Sequence, residues 1–262
     1  MKELTIVKVG GKVIDDHEAL ASFLDAFTDV PSPKILVHGG GKVASDFGER
    51  LGITPKLIDG RRITDAPTLE LVIMVYGGLV NKNIVAQLQA RSENAIGLTG
   101  ADANVMSAVK RPVSQVDYGF VGDVTKEDVG VSTLSKLIEA ELTPVFCPLT
   151  HDKQGNLLNT NADTIASILG VAMAENYRVN LIYCFEQNGV LEDFGKKIVI
   201  KVLYRDRYDK LKSEGTIHAG MIPKLDNAFN ALEGGVHQVK IGSFQSLKAL
   251  LLGELGTKIT IN

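Results

Sequence analysis

The sequence predicts an α/β fold built on a mainly parallel sheet, and three observations carry that prediction. Apolar runs of strand length alternate with helical patterns through most of the chain. Two early runs, Ile6-Val7-Lys8-Val9 and Ile35-Leu36-Val37-His38, pass directly into glycines, Gly10-Gly11 and Gly39-Gly40-Gly41. The chain has 262 residues, 45% apolar and 23% charged, the make-up of a globular protein with a substantial core.

In order, Thr5–Val9 is the first strand, and Asp16–Phe27 is an amphipathic helix with Leu20, Phe23, Leu24 and Phe27 at helical spacing, stopped by Pro31 and Pro33. Lys34–Val37 is the second strand and Lys42–Leu51 the helix behind the triple glycine. Gly52 to Thr64 reads as loop and short strand. Asp65 caps a long helix, Ala66 to about Arg91, whose residues Leu69 to Val75 are apolar around most of the circumference; it is either central core or a subunit interface, and the sequence alone favours core. Ala95–Leu98 is a strand, Val105–Lys110 and Phe120–Thr125 a sheet-edge excursion, Ser132–Ala140 a helix and Pro144–Cys147 a strand. Gly155 makes Leu149 to Leu158 a hairpin, and Asn159-Thr160-Asn161-Ala162-Asp163 leads into a helix ending near Ala174. Arg178–Cys184 is a strand, followed by a hairpin around Asp193-Phe194-Gly195 and a helix over Tyr204–Lys212. Gly220-Met221-Ile222-Pro223-Lys224 opens the next helix, to about Leu232. Val236–Ile241, Phe244–Leu252 and Thr257–Ile261 close the chain as strand, helix and strand. The glycine turns lie early and the Asp163 and Lys224 units late, which divides the chain into two lobes near residue 175.

A net charge of −3 gives no electrostatic reason to expect nucleic acid or an anionic membrane as partner. Cys147 and Cys184 each sit in an apolar strand-like run, without CxxC or Cys/His spacing, and read as free buried thiols in a reducing compartment. The N-terminus lacks signal-peptide features, and Glu70 and Gly77-Gly78 interrupt the longest apolar stretch. The expectation is a cytoplasmic protein.

Glycines at a strand-to-helix turn remove the Cβ atoms, so an anion can reach main-chain N–H groups and the positive helix end. Two such turns point to one strongly anionic ligand held from two sides; tight packing alone also explains either turn. Lys8 interrupts an apolar strand, and a lysine is costly to bury without a counter-charge. It is either a water-facing residue of an edge strand or a ligand group at the strand end where open α/β sheets bind. Lys224 lies in the first turn of its helix, where a cation opposes the dipole by about 0.3–1 kcal/mol if exposed; an anionic ligand there would offset that cost, and a solvated lysine would tolerate it. Asn161 is a good N-cap and Asp163 suits the first turn, with Asn159 two residues earlier along the same segment. Arg62 offers a planar donor fork for a carboxylate. His38 reads as a structural hydrogen-bonding residue. No P-loop, no G-x-G-x-x-G and no serine–histidine–acid set is present.

The segments Lys8-Val9-Gly10-Gly11, His38-Gly39-Gly40-Gly41, Gly60-Arg61-Arg62-Ile63-Thr64, Asn159-Thr160-Asn161-Ala162-Asp163 and Gly220-Met221-Ile222-Pro223-Lys224, in this order, resemble the amino acid kinase family. The resemblance spans essentially the whole chain. It implies a three-layer αβα sandwich, with residues 1–175 binding an acyl-amino acid and mediating dimerisation, and 176–262 binding ATP. It implies transfer of the γ-phosphoryl group of MgATP to the side-chain carboxylate of an N-acylglutamate, giving an acyl phosphate, as in arginine biosynthesis. By matching position, Lys8 and Lys224 would be catalytic, neutralising the transferring group, and Asp163 would hold both. Gly11, Gly40 and Gly41 would donate N–H groups, and Arg62, Asn159 and Asn161 would bind the acyl-amino acid. The nucleotide would lie at Gly10, Gly11, Glu186, Gln187, Asn188, Gly189, Thr216, Ile217 and His218, with Mg²⁺ carried by ATP and no dedicated protein metal site.

Two departures stand out. Family members usually carry Asp-Val before the glycine of the first nucleotide-lobe turn, where this chain has Phe185-Glu186-Gln187-Asn188-Gly189. Arginine-inhibited hexameric relatives carry an extra N-terminal helix, whereas here the first strand comes almost at once. The expectation is a homodimer with the 66–91 helix at its interface and weak or absent arginine inhibition. Arg61 beside Arg62 admits a succinyl as well as an acetyl group. The alternatives are a carbamate, glutamate, aspartate or nucleoside monophosphate kinase of the same fold, or a catalytically silent nucleotide or metabolite sensor.

Overall fold

Eight strands form one sheet, and the residues that alternate along them feed two separate cores. The computed structural model describes residues 1–261 apart from Asp59, Gly60, Phe194, Lys196 and His218, with Lys12, Asp193 and Ala219 described by their main chain only. The sheet strands are β1 (Lys2–Val9), β2 (Lys34–His38), β3 (Ala95–Leu98), β4 (Thr143–Phe146), β5 (Tyr177–Phe185), β6 (Val202–Tyr204), β7 (Gln238–Ser243) and β8 (Thr257–Thr260). Their order is β6-β8-β7-β5-β1-β2-β4-β3. All neighbours run parallel except β7 and β8, so β6 and β8, the last two strands at one end of the sheet, oppose the other six.

Strand side chains alternate with period two. In β1, Leu4 and Ile6 enter one core and Val7 and Val9 the other. The first core is closed by α4 (Val131–Glu139), α5 (Ala162–Met173), α6 (Arg205–Ser213) and α7 (Ile222–Glu233). The second is closed by α1 (His17–Thr28), α2 (Gly41–Arg50), α3 (Ala66–Gln89) and α8 (Leu247–Leu252). The result is three layers, helices–sheet–helices, with β1 near the middle.

Local chemistry sets the ends of these elements. Asp16 caps α1 by accepting from the N–H groups of Glu18 and Ala19 at 2.9 and 3.0 Å. At the other end Lys34, 3% exposed, donates to the carbonyls of Phe27, Thr28 and Val30 and pairs with Glu93 at 2.9 Å. Asp65 caps α3. That helix is continuous but not uniform: Ile73–Val80 is wound as a π-helix between two α segments. By length and composition alone α3 could cross a membrane; here it lays Leu71, Val72, Val75, Ile84 and Leu88 against the core. Its outer face leaves Met74 57% and Leu79 40% exposed.

One predicted detail is corrected. The excursion at 105–125 is not at the edge of the main sheet: Val109–Lys110 and Gly122–Asp123 pair only with each other as an antiparallel ribbon. Ile222 opens α7, so Lys224 lies in its first turn as expected. The hairpin from Leu149 forms as expected, Leu149–His151 against Leu157–Asn159. Leu191–Asp193 pairs with Ile198–Val199, and Phe194 of its predicted turn lies outside the described residues.

Candidate active site

The parallel register brings Lys8 of β1 beside Tyr183 of β5 and Val37 of β2, so Lys8 stands on a central strand and not an edge. Period two turns it toward α5. There the Asn161 side chain caps the helix, accepting from the N–H groups of Asp163 and Thr164 at 2.8 and 3.1 Å. This cap fixes the first turn and points Asp163 at the sheet. Lys8 Nζ meets Asp163 Oδ1 at 2.7 Å, and both side chains are 9% exposed. Lys224, two residues into α7, brings its Nζ to 2.5 Å from Asp163 Oδ2. Tyr183 Oη donates to the Asp163 carbonyl at 3.1 Å, so neighbouring residues of β5 and β1 hold the same helix turn.

Burial alone would raise the Asp163 carboxyl; Lys8 and Lys224 overcome it and hold the group well below the usual carboxylate range. Burial lowers the Lys8 ammonium, Asp163 opposes that shift, and nearby Lys224 adds to it. Two cations thus share one anion, leaving a net positive charge beside the glycine turns.

Those turns lie next to one another. Gly39 N–H donates to the Val9 carbonyl at 2.9 Å, tying the second turn to the end of β1. A Cβ on Gly10 would lie 2.6 Å from Lys8 Nζ. Gly11 has φ +65°, and a Cβ there would collide with the Glu186 carboxylate, so the turn after β5 meets the turn after β1. Gly40 has φ +152° and packs on Tyr76, with a Cβ position 3.0 Å from that ring. Gly41 is different. It begins α2 with no positive φ, and nothing lies within 4 Å of its Cβ position. No packing reason requires glycine there.

A cavity of about 220 Å³ opens beside Gly40 and Gly41. Arg61, Arg62, Tyr76, Arg111, Asn159 and Asn161 contribute to its wall. Arg62 Nη2 donates to the Gly41 carbonyl and to Ser45 Oγ, both at 2.8 Å, which presses the hairpin Leu57–Ile58/Arg61–Arg62 onto α2. Asn159 Nδ2 donates to Thr64 Oγ1 at 3.0 Å. Arg111 is engaged bidentately by Asp123.

The structure therefore gathers Lys8, Asp163, Lys224, Gly10, Gly11, Gly40, Gly41, Arg62, Asn159 and Asn161 around one crevice at the C-terminal ends of β1, β2 and β5. Glu186, Gln187, Asn188 and Gly189 form the turn after β5, with Glu186 at Gly11. Gly189 has φ +158°, and a Cβ there would press on Val199 and Thr257. Thr216 and Ile217 lie in the loop before α7, but the Ile217 side chain is 5% exposed and belongs to the core. His218 and Gly60 lie outside the described residues. Sequence reasoning missed Tyr76 and the Arg111–Asp123 pair. Tyr76 reads as one more apolar residue of its helix, and the ribbon that pairs Arg111 with Asp123 has no local signature.

Comparison with known proteins points to one family. The sequence profile of the amino acid kinase family matches residues 3–243. The chain is 55% identical to the acetylglutamate kinase of Cytophaga hutchinsonii over 100% of both chains. It is 52% identical to the acetylglutamate kinase of Bacteroides thetaiotaomicron, over 94% of this chain and 96% of the relative. Among solved structures, smu.665 from Streptococcus mutans UA159 superposes with a TM-score of 0.82 at 28% identity, covering 100% of each chain.

Proposed function

The chain belongs to the amino acid kinase family, and on that premise we propose that it transfers the γ-phosphoryl group of MgATP to the side-chain carboxylate of N-acetyl-L-glutamate, giving an acyl phosphate for arginine biosynthesis. The observation that carries this reading is the bridge Lys8–Asp163–Lys224 beside the glycine turns. A carboxylate acceptor is already ionised, so the reaction needs no general base; it needs two anions brought in line and the transferring charge stabilised. Lys8 and Lys224 supply that charge and Asp163 holds them in place. The N–H groups of Gly11, Gly40 and Gly41 donate to phosphoryl and substrate oxygens. Arg62, Asn159 and Asn161 bind the glutamate moiety in the 220 Å³ cavity.

In this reading residues 1–175 hold the acyl-amino acid and 176–262 the nucleotide, which lies along Gly10, Gly11, the Glu186–Gly189 turn and the loop at Thr216-Ile217-His218. Glu186 brings a carboxylate against Gly11, which suits a phosphate chain that arrives with its divalent cation. The protein works as a cytoplasmic homodimer joined through the outer face of α3.

Arg61 favours a second acyl group. It lines the same cavity as Arg62, and unlike Arg111 it has no ion-pair partner among the described residues. A succinyl carboxylate would give it one.

ADP release from MgATP is measured with N-acetylglutamate and N-succinylglutamate side by side, with hydroxylamine trapping the acyl phosphate. Trapped product with either substrate supports carboxylate phosphorylation and names the acyl group. No product with either, from folded protein, overturns the reading in favour of another acceptor or a sensor.

A further inference from the structure

A polar chain runs inward from the exposed Lys82 of α3 to the triple-glycine turn, and its two central members are buried. His38 is 0% and Asn81 1% exposed. Lys82 Nζ donates to Asn81 Oδ1 at 3.1 Å and to the Gly97 carbonyl at 3.2 Å. Asn81 Nδ2 donates to the Val145 carbonyl at 3.0 Å and lies 3.1 Å from His38 Nε2. His38 Nδ1 lies 2.6 Å from the Gly39 carbonyl. Gly97 makes room for the chain: a Cβ there would strike Asn81 Oδ1 and come within 2.7 Å of Lys82 Nζ.

The donors and acceptors allow one assignment. Lysine only donates, so it takes the Asn81 oxygen; the Val145 carbonyl only accepts, so it takes the Asn81 nitrogen. Asn81 Nδ2 then donates to His38 Nε2, which must be unprotonated. The ring proton therefore sits on Nδ1 and is donated to the Gly39 carbonyl. That carbonyl and the Gly40 N–H are opposite ends of one planar peptide group, so fixing one fixes the other.

We infer that His38 and Asn81 form a positioning relay that aims the Gly40 N–H at the transferring phosphoryl group from helix α3. The inference rests on the function proposed above, and it deepens the role of Gly40. Glycine at a φ of +152° has wide conformational freedom, so the turn does not orient its own N–H group. The relay supplies that constraint from four elements, β2, α3, β3 and β4. Both charged groups near the imidazole, Lys82 of α3 and Lys8 of β1, are cationic and add to burial in keeping it neutral.

The test compares His38→Leu, which removes the donor, with His38→Asn, whose amide nitrogen can replace Nδ1. The expected result for His38→Leu is a fall in kcat on the order of 10²-fold with KM for either substrate within about threefold. Its affinity for MgADP with aluminium fluoride, a mimic of the transferring group, falls in parallel while affinity for MgADP alone holds. His38→Asn recovers most of the loss. Unchanged kcat in His38→Leu, or an equal loss in both folded variants, overturns the relay. Should His38→Leu fail to fold, ¹⁵N imidazole shifts of the wild-type protein decide: protonated Nδ1 with bare Nε2 supports the relay, and the Nε2–H tautomer overturns it. The tautomer is read without turnover, so failure of the relay and failure of the kinase reading are distinguishable.

Discussion

Lys8 and Asp163 meet at 2.7 Å with both side chains 9% exposed, although they belong to the first strand of the sheet and to a helix more than 150 residues later. The pair stands on the face of β1 that otherwise carries Leu4 and Ile6, so it interrupts a hydrophobic layer. Breaking a buried pair costs about 3–5 kcal/mol because one charge is left uncompensated. Asp163→Asn leaves the buried Lys8 and the partly buried Lys224 without an anion, and a loss of that size is expected in urea unfolding. Lys8→Met keeps most of the unbranched side chain without its charge and leaves Asp163 paired with Lys224. It is expected to lower kcat by on the order of 10²-fold or more with MgATP affinity within about threefold by calorimetry. Wild-type turnover in Lys8→Met would remove the lysine from the mechanism.

Acid sensitivity follows from His38. Burial, reinforced by Lys82 and Lys8, lowers its imidazole to about 4, against an ordinary value near 6.5 in the unfolded chain. Between those values the unfolded state binds the extra proton and the folded state does not, so stability falls as pH drops through that window. A full shift of that size is worth about 3 kcal/mol. Asp163 works lower: its depressed carboxyl contributes stability above its unfolded value near 3.9, which is lost only as pH falls below that. Urea midpoints at pH 7 and pH 4.5 should drop for wild type by clearly more than for His38→Asn, which has no proton to gain. Equal drops would mean the imidazole is not held neutral.

Two glycines of the second turn, Gly40 and Gly41, separate by cause. Gly40 has φ +152° and presses on Tyr76, so Gly40→Ala should lower both stability and activity. Gly41 has open space at its Cβ position and an ordinary helical start, so Gly41→Ala should not lower the melting temperature. If its backbone is bare because substrate approaches it, Gly41→Ala still lowers kcat/KM more than tenfold, roughly the loss expected when a donor is blocked. A Gly41→Ala enzyme with normal kcat/KM would show that substrate does not approach that residue.

How legible these groups were depends on how local their signals are. Lys8 announced itself as a charge in an apolar run, and Asn161 and Asp163 as cap and first turn of a helix, because each cue lies within a few residues. The role of His38 as a hydrogen-bonding residue was readable, but its partner was not: Asn81 is 43 residues away and meets it only when α3 packs across β2. Tyr76 looked like core because its neighbours are apolar; only the fold shows its ring against Gly40 and the cavity. The π-helical stretch Ile73–Val80 has no cue in composition either. The Ile217 side chain packs into the core, so its place in the proposed nucleotide loop rests on its main chain.

That π-helical stretch also carries the prediction about assembly. In it Val75, Tyr76 and Val80 face the core, while Met74 is 57% and Leu79 40% exposed on the outer side. Contiguous exposed apolar patches mark contact surfaces, and the dimer proposed above would cover Met74 and Leu79. Tyr76 belongs to the same stretch and lines the substrate cavity, and Asn81 follows it by one residue after Val80. A partner seated on this face would thus press on the helix that holds both the cavity wall and the His38 relay. Met74→Glu combined with Leu79→Glu should convert a dimer to a monomer by light scattering, with little loss of secondary structure by circular dichroism. Activity should fall with the loss of the dimer and return at high protein concentration if some association remains. A double variant that stays dimeric would place the contact elsewhere, and a wild-type monomer would remove the assembly from the proposal altogether.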